Sequence, residues 1–147
     1  MKKEETVDYH IKSAWHAISR MYNKEGSDFG ITASTGFVLL NIDSENGTPA
    51  TKIAPLLGME ARSLTRMLKS LEENELIYRQ QDSNDKRLVR IYLTDYGKEK
   101  RSIARGAVIS FNDQIKEKLN PEQLQSFFAV MDIISKTVEE IKLSQIE

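Results

Sequence analysis

The chain contains no cysteine, which excludes disulfide frameworks, thiolate metal sites, cysteine nucleophiles and thiol redox sensing. Proline (3) and glycine (7) are scarce among 147 residues, so neither a collagen-like nor a low-complexity linker composition applies. No run approaches the roughly 18 uninterrupted apolar residues of a membrane-spanning helix. The opening MKKEETVDYH lacks the apolar core of a secretion signal, and the expectation is a soluble, cytoplasmic chain. Histidine is limited to His10 and His16; six residues apart, they stand roughly 240° apart around a helix and cannot chelate one metal as a local pair. No H-E-x-x-H, P-loop or G-x-S-x-G occurs. No enzyme, cofactor or metal site is expected.

What is present is enough to fold. Hydrophobic residues make up 39% and charged residues 29%, fitting one domain or one domain with a helical appendage. The net charge of -1 hides a segregation. Residues 50–105 hold 12 basic and 8 acidic groups, leaving the remainder of the chain net acidic. A basic middle between acidic ends fits a module that meets phosphates, flanked by segments that meet something else.

Apolar residues at helical spacing (Val7, Ile11, Ala14, Trp15, Ile18, Met21, Tyr22) predict a first helix over 7–22, with Gly26 as its stop. A short buried helix is expected within 32–43, followed by the turn dipeptide Asn46-Gly47. Thr48-Pro49 has the form of an N-cap and first helical residue, opening a third helix that ends at Gly58. Pro55 sits inside that helix and predicts a kink near Thr51, because it lacks an N–H and crowds the carbonyl four residues back. The fourth helix, over 60–74, sets Leu64, Met67, Leu68 and Leu71 on one face and Ala61, Arg62, Thr65, Arg66 and Lys69 on the other.

The period then changes. Residues 77–81 and 88–93 are rich in β-branched and aromatic side chains around the polar DSNDKR, which predicts a β-hairpin. Thr94-Asp95 caps a long fifth helix, and Asn120-Pro121-Glu122-Gln123 opens a sixth. The sixth carries Leu124, Phe127, Phe128, Met131, Ile134, Val138, Ile141 and Ile146, more apolar surface than so small a chain has core to cover. A partner subunit is the expected cover; folding back on the first and fifth helices is the monomeric alternative.

Two helices joined by the tight turn Leu57-Gly58-Met59, the second exposing small and basic groups, followed at once by a hairpin with a basic tip, describe a winged helix-turn-helix. The expected fold class is mainly α with a small β-hairpin wing. Entry into a major groove needs small residues for close approach and cationic or hydrogen-bonding groups for phosphates and bases; Ala61, Arg62, Thr65, Arg66 and Lys69 meet that need. Lys86 and Arg87 at the hairpin tip would reach along the DNA toward the narrower groove.

Residues 31–97 resemble the MarR family of bacterial transcription regulators. The most specific part is Asp85-Lys86-Arg87 followed by Ile91-Tyr92-Leu93-Thr94 and Gly97, which is similar to the family's wing signature, and the helical ends extend the likeness over nearly the whole chain. The resemblance implies a homodimer on double-stranded DNA, with 32–93 as the DNA-binding part and helical segments 1–26 and 96–147 as the dimerisation part. By matching position it places Arg62, Ser63, Thr65 and Arg66 in the recognition helix, Arg87 at the wing arginine and Asp85 as its support. Two positions depart from the pattern: Pro55 replaces a polar helix former, and Glu75 replaces a glycine before Leu76-Ile77.

Trp15, Tyr22 and Phe37 are candidates to line a pocket for a small organic effector, although aromatics at helical spacing are more commonly buried for packing alone. The function expected is a sequence-specific regulator, a repressor rather than an activator, bound to a pseudo-palindrome. The near-neutral net charge leaves a second reading, a winged-helix module for protein interaction or RNA binding without operator specificity.

Overall fold

The structure is a computed structural model that describes residues 1–145. Ile146, counted above in the sixth helix, lies outside the described residues. Two compact units are present, Met1–Ala107 and the part of the chain from Val108 onward.

The first unit opens with α1 (Val7–Gly26). Gly26 closes α1 as expected, though without the left-handed conformation of a glycine stop. It is the last residue of α1, with right-handed backbone, and a single 3-10 turn (Ser27–Phe29) follows before Gly30 reverses the chain at φ 67°. Gly26 is needed for closeness instead: its carbonyl accepts the Ile31 N–H at 3.0 Å, and a Cβ there would collide with the Ile31 carbonyl oxygen. Asn23 Oδ1 then accepts the Ala33 N–H at 2.7 Å, tying α1 to the start of α2 (Ala33–Leu40), whose N-cap Thr32 accepts from the Thr35 N–H.

Thr48-Pro49 is the main departure from expectation. The pair forms a two-residue strand, β1 (Thr48–Pro49), and Pro49 itself caps α3 (Ala50–Leu57). The reason is the partner: Thr48 and Pro49 stand opposite Ile91 and Arg90, so a ladder some forty residues away takes precedence over the local capping signal. Helix α3 continues through Pro55. It ends at Gly58 (φ 61°), where Met59 N–H donates to the Ala54 carbonyl and Gly58 N–H to that of Pro55, the paired bonds of a Schellman stop.

Helix α4 (Ala61–Glu73) ends in the same motif, with Leu76 N–H on the Leu71 carbonyl and Glu75 N–H on that of Glu72. The left-handed position here is Glu75, at φ 60°. The hairpin follows as β2 (Ile77–Gln81) and β3 (Val89–Leu93), and the antiparallel sheet has the order β1-β3-β2. Alternation along β3 turns Ile91 and Leu93 inward, where they meet Ile77, Leu64, Leu68, Leu71, Val38, Leu39, Ile42 and Ile53 in one continuous core. That core fixes α4 and the hairpin against the same apolar mass. Helix α5 (Asp95–Lys118) starts from Thr94, whose hydroxyl oxygen accepts the Gly97 N–H at 2.9 Å and donates to the Glu75 carbonyl at 2.6 Å.

The second unit holds the end of α5 and α6 (Pro121–Ser144). The start of α6 is a reciprocal capping box between Asn120 and Gln123, as its sequence predicts. No residue of α6 is buried, and Phe127, Phe128, Val130, Ile133, Val138 and Ile141 are exposed. Among the described residues no helix is long and apolar enough to cross a membrane.

Candidate nucleic-acid interface

The amphipathic pattern of α4 sorts its residues cleanly. Leu64, Leu68 and Leu71 are buried, while Ala61, Arg62, Ser63, Thr65, Arg66 and Lys69 are exposed. Arg62 and Arg66 make no ion pair or hydrogen bond among the described residues, and Lys69 reaches Glu73 only at 4.0 Å. A helical face with unneutralised guanidinium groups is an anion-binding surface by default. Thr65 differs in kind: its hydroxyl donates to the Ala61 carbonyl at 2.8 Å. Its proton is thus committed within the helix, leaving a methyl group and oxygen lone pairs facing outward.

The hairpin tip is ordered by carboxylates. Asp85 Oδ1 accepts both the backbone N–H and the Nε–H of Arg87, at 3.0 and 3.1 Å, and Oδ2 accepts Nη2–H at 3.2 Å. This fork grips one edge of the guanidinium and leaves the Arg87 side chain 90% exposed. The expected partnership of Asp85 with Arg87 is thereby present in the geometry. The Arg87 side chain, followed by its backbone N–H, holds the Asp85 carboxyl below its usual range. Lys86 is exposed beside it, its carbonyl accepting from Gln81 Nε2 at 2.6 Å.

Two residues that sequence reasoning did not single out shape the same turn. Asp82 Oδ1 accepts the backbone N–H groups of Asn84 (2.8 Å) and Asp85 (3.0 Å), and Oδ2 accepts from Arg90 Nε at 3.0 Å. The backbone bonds, then Arg90, hold the Asp82 carboxyl below its usual range. Arg90 also donates from Nη1 to the carbonyls of Asn46 and Gly47, each at 3.3 Å. Asp-x-x-Asp opening a polar turn is an Asx-type signal, but the pairing of Asp82 with Arg90 follows from strand register and could not be seen before it was known. At the hairpin root Arg79 Nε donates to Glu72 Oε2 at 2.9 Å, fastening β2 to α4.

The aromatic candidates meet one another. Phe37 lies 5.6 Å from Trp15 and 5.9 Å from Tyr22 between ring centroids. Burial, then Glu25, raises the Tyr22 phenol above its usual range. Trp15 remains 48% exposed. His10 is occupied at the start of α1, its Nε2 2.7 Å from the Glu4 carbonyl.

Residues 31–89, which carry α4 and the acid-anchored arginine of the hairpin, match the sequence model of the MarR family. That match is confined to the winged-helix part of the chain. Among its relatives are the HTH-type transcriptional regulator SarZ of Staphylococcus epidermidis, 28% identical over 127 residues (83% of this chain and 84% of SarZ), and the HTH-type transcriptional regulator YhbI of Bacillus subtilis, 29% identical over 111 residues (76% and 72%). Among solved structures, the transcriptional repressor CouR bound to a 23-mer DNA duplex superposes with a TM-score of 0.75 at 25% identity, covering 90% of this chain and 94% of CouR. These relatives are named as transcription regulators, and the fold shared with CouR is a winged helix, mostly helical with a small three-stranded sheet.

Proposed function

We propose that this protein is a MarR-family, sequence-specific regulator that binds double-stranded DNA as a homodimer on a pseudo-palindromic operator and represses transcription in the cytoplasm. The observation that carries the proposal is the unpaired cationic face of α4 set beside Arg87, which projects from the wing on a carboxylate support. Arg62, Ser63, Thr65, Arg66 and Lys69, with Ala61 permitting close approach, occupy the major groove; Lys86 and Arg87 reach the backbone or the adjacent minor groove. Residues 32–93 form the DNA-binding part. Segments 1–26 and 96–147 form the dimerisation part, in which a second copy covers the exposed apolar faces of α1 and of α6. A dimer seated on a promoter excludes polymerase with no further contact, which favours repression over activation. CouR, a repressor seen on duplex DNA, supports the same reading. Relief by a small organic ligand, taken up near Trp15, Tyr22 and Phe37, completes it.

The test is selection of bound sequences from random duplex DNA. An enriched inverted repeat whose half-sites lie one helical turn apart, bound with affinity that falls steeply with salt, is the expected result. Failure to enrich any sequence, with retention of single-stranded RNA or protein ligands instead, would overturn it.

A further inference from the structure

Arg87 sits at the tip of the wing, but what aims it lies lower in the hairpin. The turn over residues 82–88 has no apolar anchor, since Leu88 and Val89 are exposed. Its order rests on polar bonds: the backbone pairs Asp82 N–H to the Leu88 carbonyl (2.9 Å) and Leu88 N–H to the Asp85 carbonyl (3.0 Å), the Gln81 contact to Lys86, and a set that converges on the Asp82 and Arg90 side chains. Asp82 gathers the N–H groups of Asn84 and Asp85, the second belonging to the residue that grips Arg87. Arg90 binds the Asp82 carboxylate from one side and the carbonyls of Asn46 and Gly47 from the other. Those carbonyls immediately precede β1 and α3. The Asp82 side chain is only 9% exposed and that of Arg90 27%, unlike the solvated ion pairs elsewhere on the surface. Gly47 holds its carbonyl in place at φ 65°, where a Cβ would meet the Ile91 carbonyl oxygen at 2.6 Å and the Tyr92 ring at 2.8 Å.

We propose that Asp82 and Arg90 are positioning residues of the wing: their ion pair ties the turn that presents Arg87 to the segment leading into α3, and so fixes the reach of Arg87 relative to the helix-turn-helix. Neither needs to touch nucleic acid for this. The proposal rests on the DNA-binding reading above.

Charge and position pull in opposite directions here, which makes the proposal testable. Removing a carboxylate near a phosphate-binding surface favours DNA binding on electrostatic grounds alone. Loss of the support for Arg87 opposes it. The experiment measures binding of a mixed-sequence DNA duplex spanning two helical turns, across a salt series, for the full chain and for Asp82→Asn, Arg87→Ala, their combination, and Arg90→Lys. Asp82→Asn is expected to weaken binding about three- to tenfold and to flatten the salt dependence as Arg87→Ala does. In the Arg87→Ala background it should cause no further loss. Arg90→Lys keeps the charge but loses the fork that spans carboxylate and carbonyls, and should fall between the parent and Asp82→Asn. It also serves if Asp82→Asn fails to fold, and thermal melting of each variant separates global unfolding from mispositioning. Unchanged or tighter binding by Asp82→Asn, or an equal loss in both backgrounds, would overturn the proposal while leaving DNA binding intact. If Arg87→Ala binds like the parent at every salt concentration, the assignment of the wing to DNA fails first and the proposal with it.

Discussion

Glu75 is the single non-glycine residue with positive φ in the described chain, and it occupies the left-handed position of the stop between α4 and β2. An L-residue with a Cβ costs roughly 1–2 kcal/mol there, partly offset because glycine loses more freedom on folding. Glu75→Gly should therefore stabilise the fold by about 0.5–1 kcal/mol, read as a higher urea midpoint at fixed protein concentration with unchanged slope. A lower midpoint would mean that the Glu75 side chain contributes more than its backbone strain. The departure from the family pattern at this position was visible in the sequence. Its consequence, a strained backbone kept in place by Thr94 on the Glu75 carbonyl, was not.

The wing carboxylates make a second residue-level prediction. Asp82 is held low chiefly by the Asn84 and Asp85 N–H groups, and Asp85 chiefly by the Arg87 side chain. For a carboxyl lowered on folding, the stabilisation is complete above the unfolded value and disappears as pH falls through the folded one. The wing should thus be insensitive to pH through the neutral range and lose order only below about pH 4. Amide resonances of Asn84, Asp85 and Arg87, followed through an acid titration, should shift together in that low range. A midpoint near neutrality would show that other groups govern the turn.

At the scale of elements, the proposed function divides the work of recognition between α4 and the wing. One or more of Arg62, Thr65 and Arg66 is expected to meet a base edge, and its replacement by Ala should cost about 1–3 kcal/mol on the selected sequence and much less on random duplex. Arg87→Ala should weaken both kinds of site together and lower the salt slope by roughly one counterion per subunit. Retention of full sequence preference in all three helix variants would remove α4 from the groove. Helix α4, the hairpin and the start of α6 were legible because each signals itself locally, by a 3.6-residue stripe, by β-branched runs about a polar turn, and by a cap with its reciprocal glutamine. Strand β1 was not. Two residues carry no period, and Thr48-Pro49 has a local preference that only its pairing with β3 overrides. The Asp82–Arg90 pair was hidden for the same reason, since the two come together only once the hairpin register is set.

For the molecule as a whole, α6 has no buried residue, and a stripe of exposed phenylalanine, valine and isoleucine in water marks an association surface. The chain is expected to sediment as a dimer at micromolar concentration. Phe128, exposed in the single chain, should tolerate Phe128→Asp without loss of helicity, while the dimer weakens by several kcal/mol because a carboxylate enters the seam unpaired. A parent chain that sediments as a monomer would overturn this. The segregation of charge and the apolar excess of α6 were both legible in the sequence; which of its side chains stay exposed required the fold.

The bond from Arg90 to the Asn46 carbonyl joins residues 44 positions apart, and β1 pairs with β3 over a similar span. During synthesis both helices of the helix-turn-helix are therefore made before the strand that anchors the segment in front of them. At about 5–20 residues per second the interval from the end of α4 to β3 is roughly 1–4 s. Through that time α3 and α4 lack the β-ladder at their base, and a nascent chain halted before residue 91 carries every side chain of the α4 face without the frame that holds it to its core. The sheet is thus a late fastening on translation: if α4 meets the groove as proposed, competence to do so should arrive with the last strand of the wing and not with the helix itself.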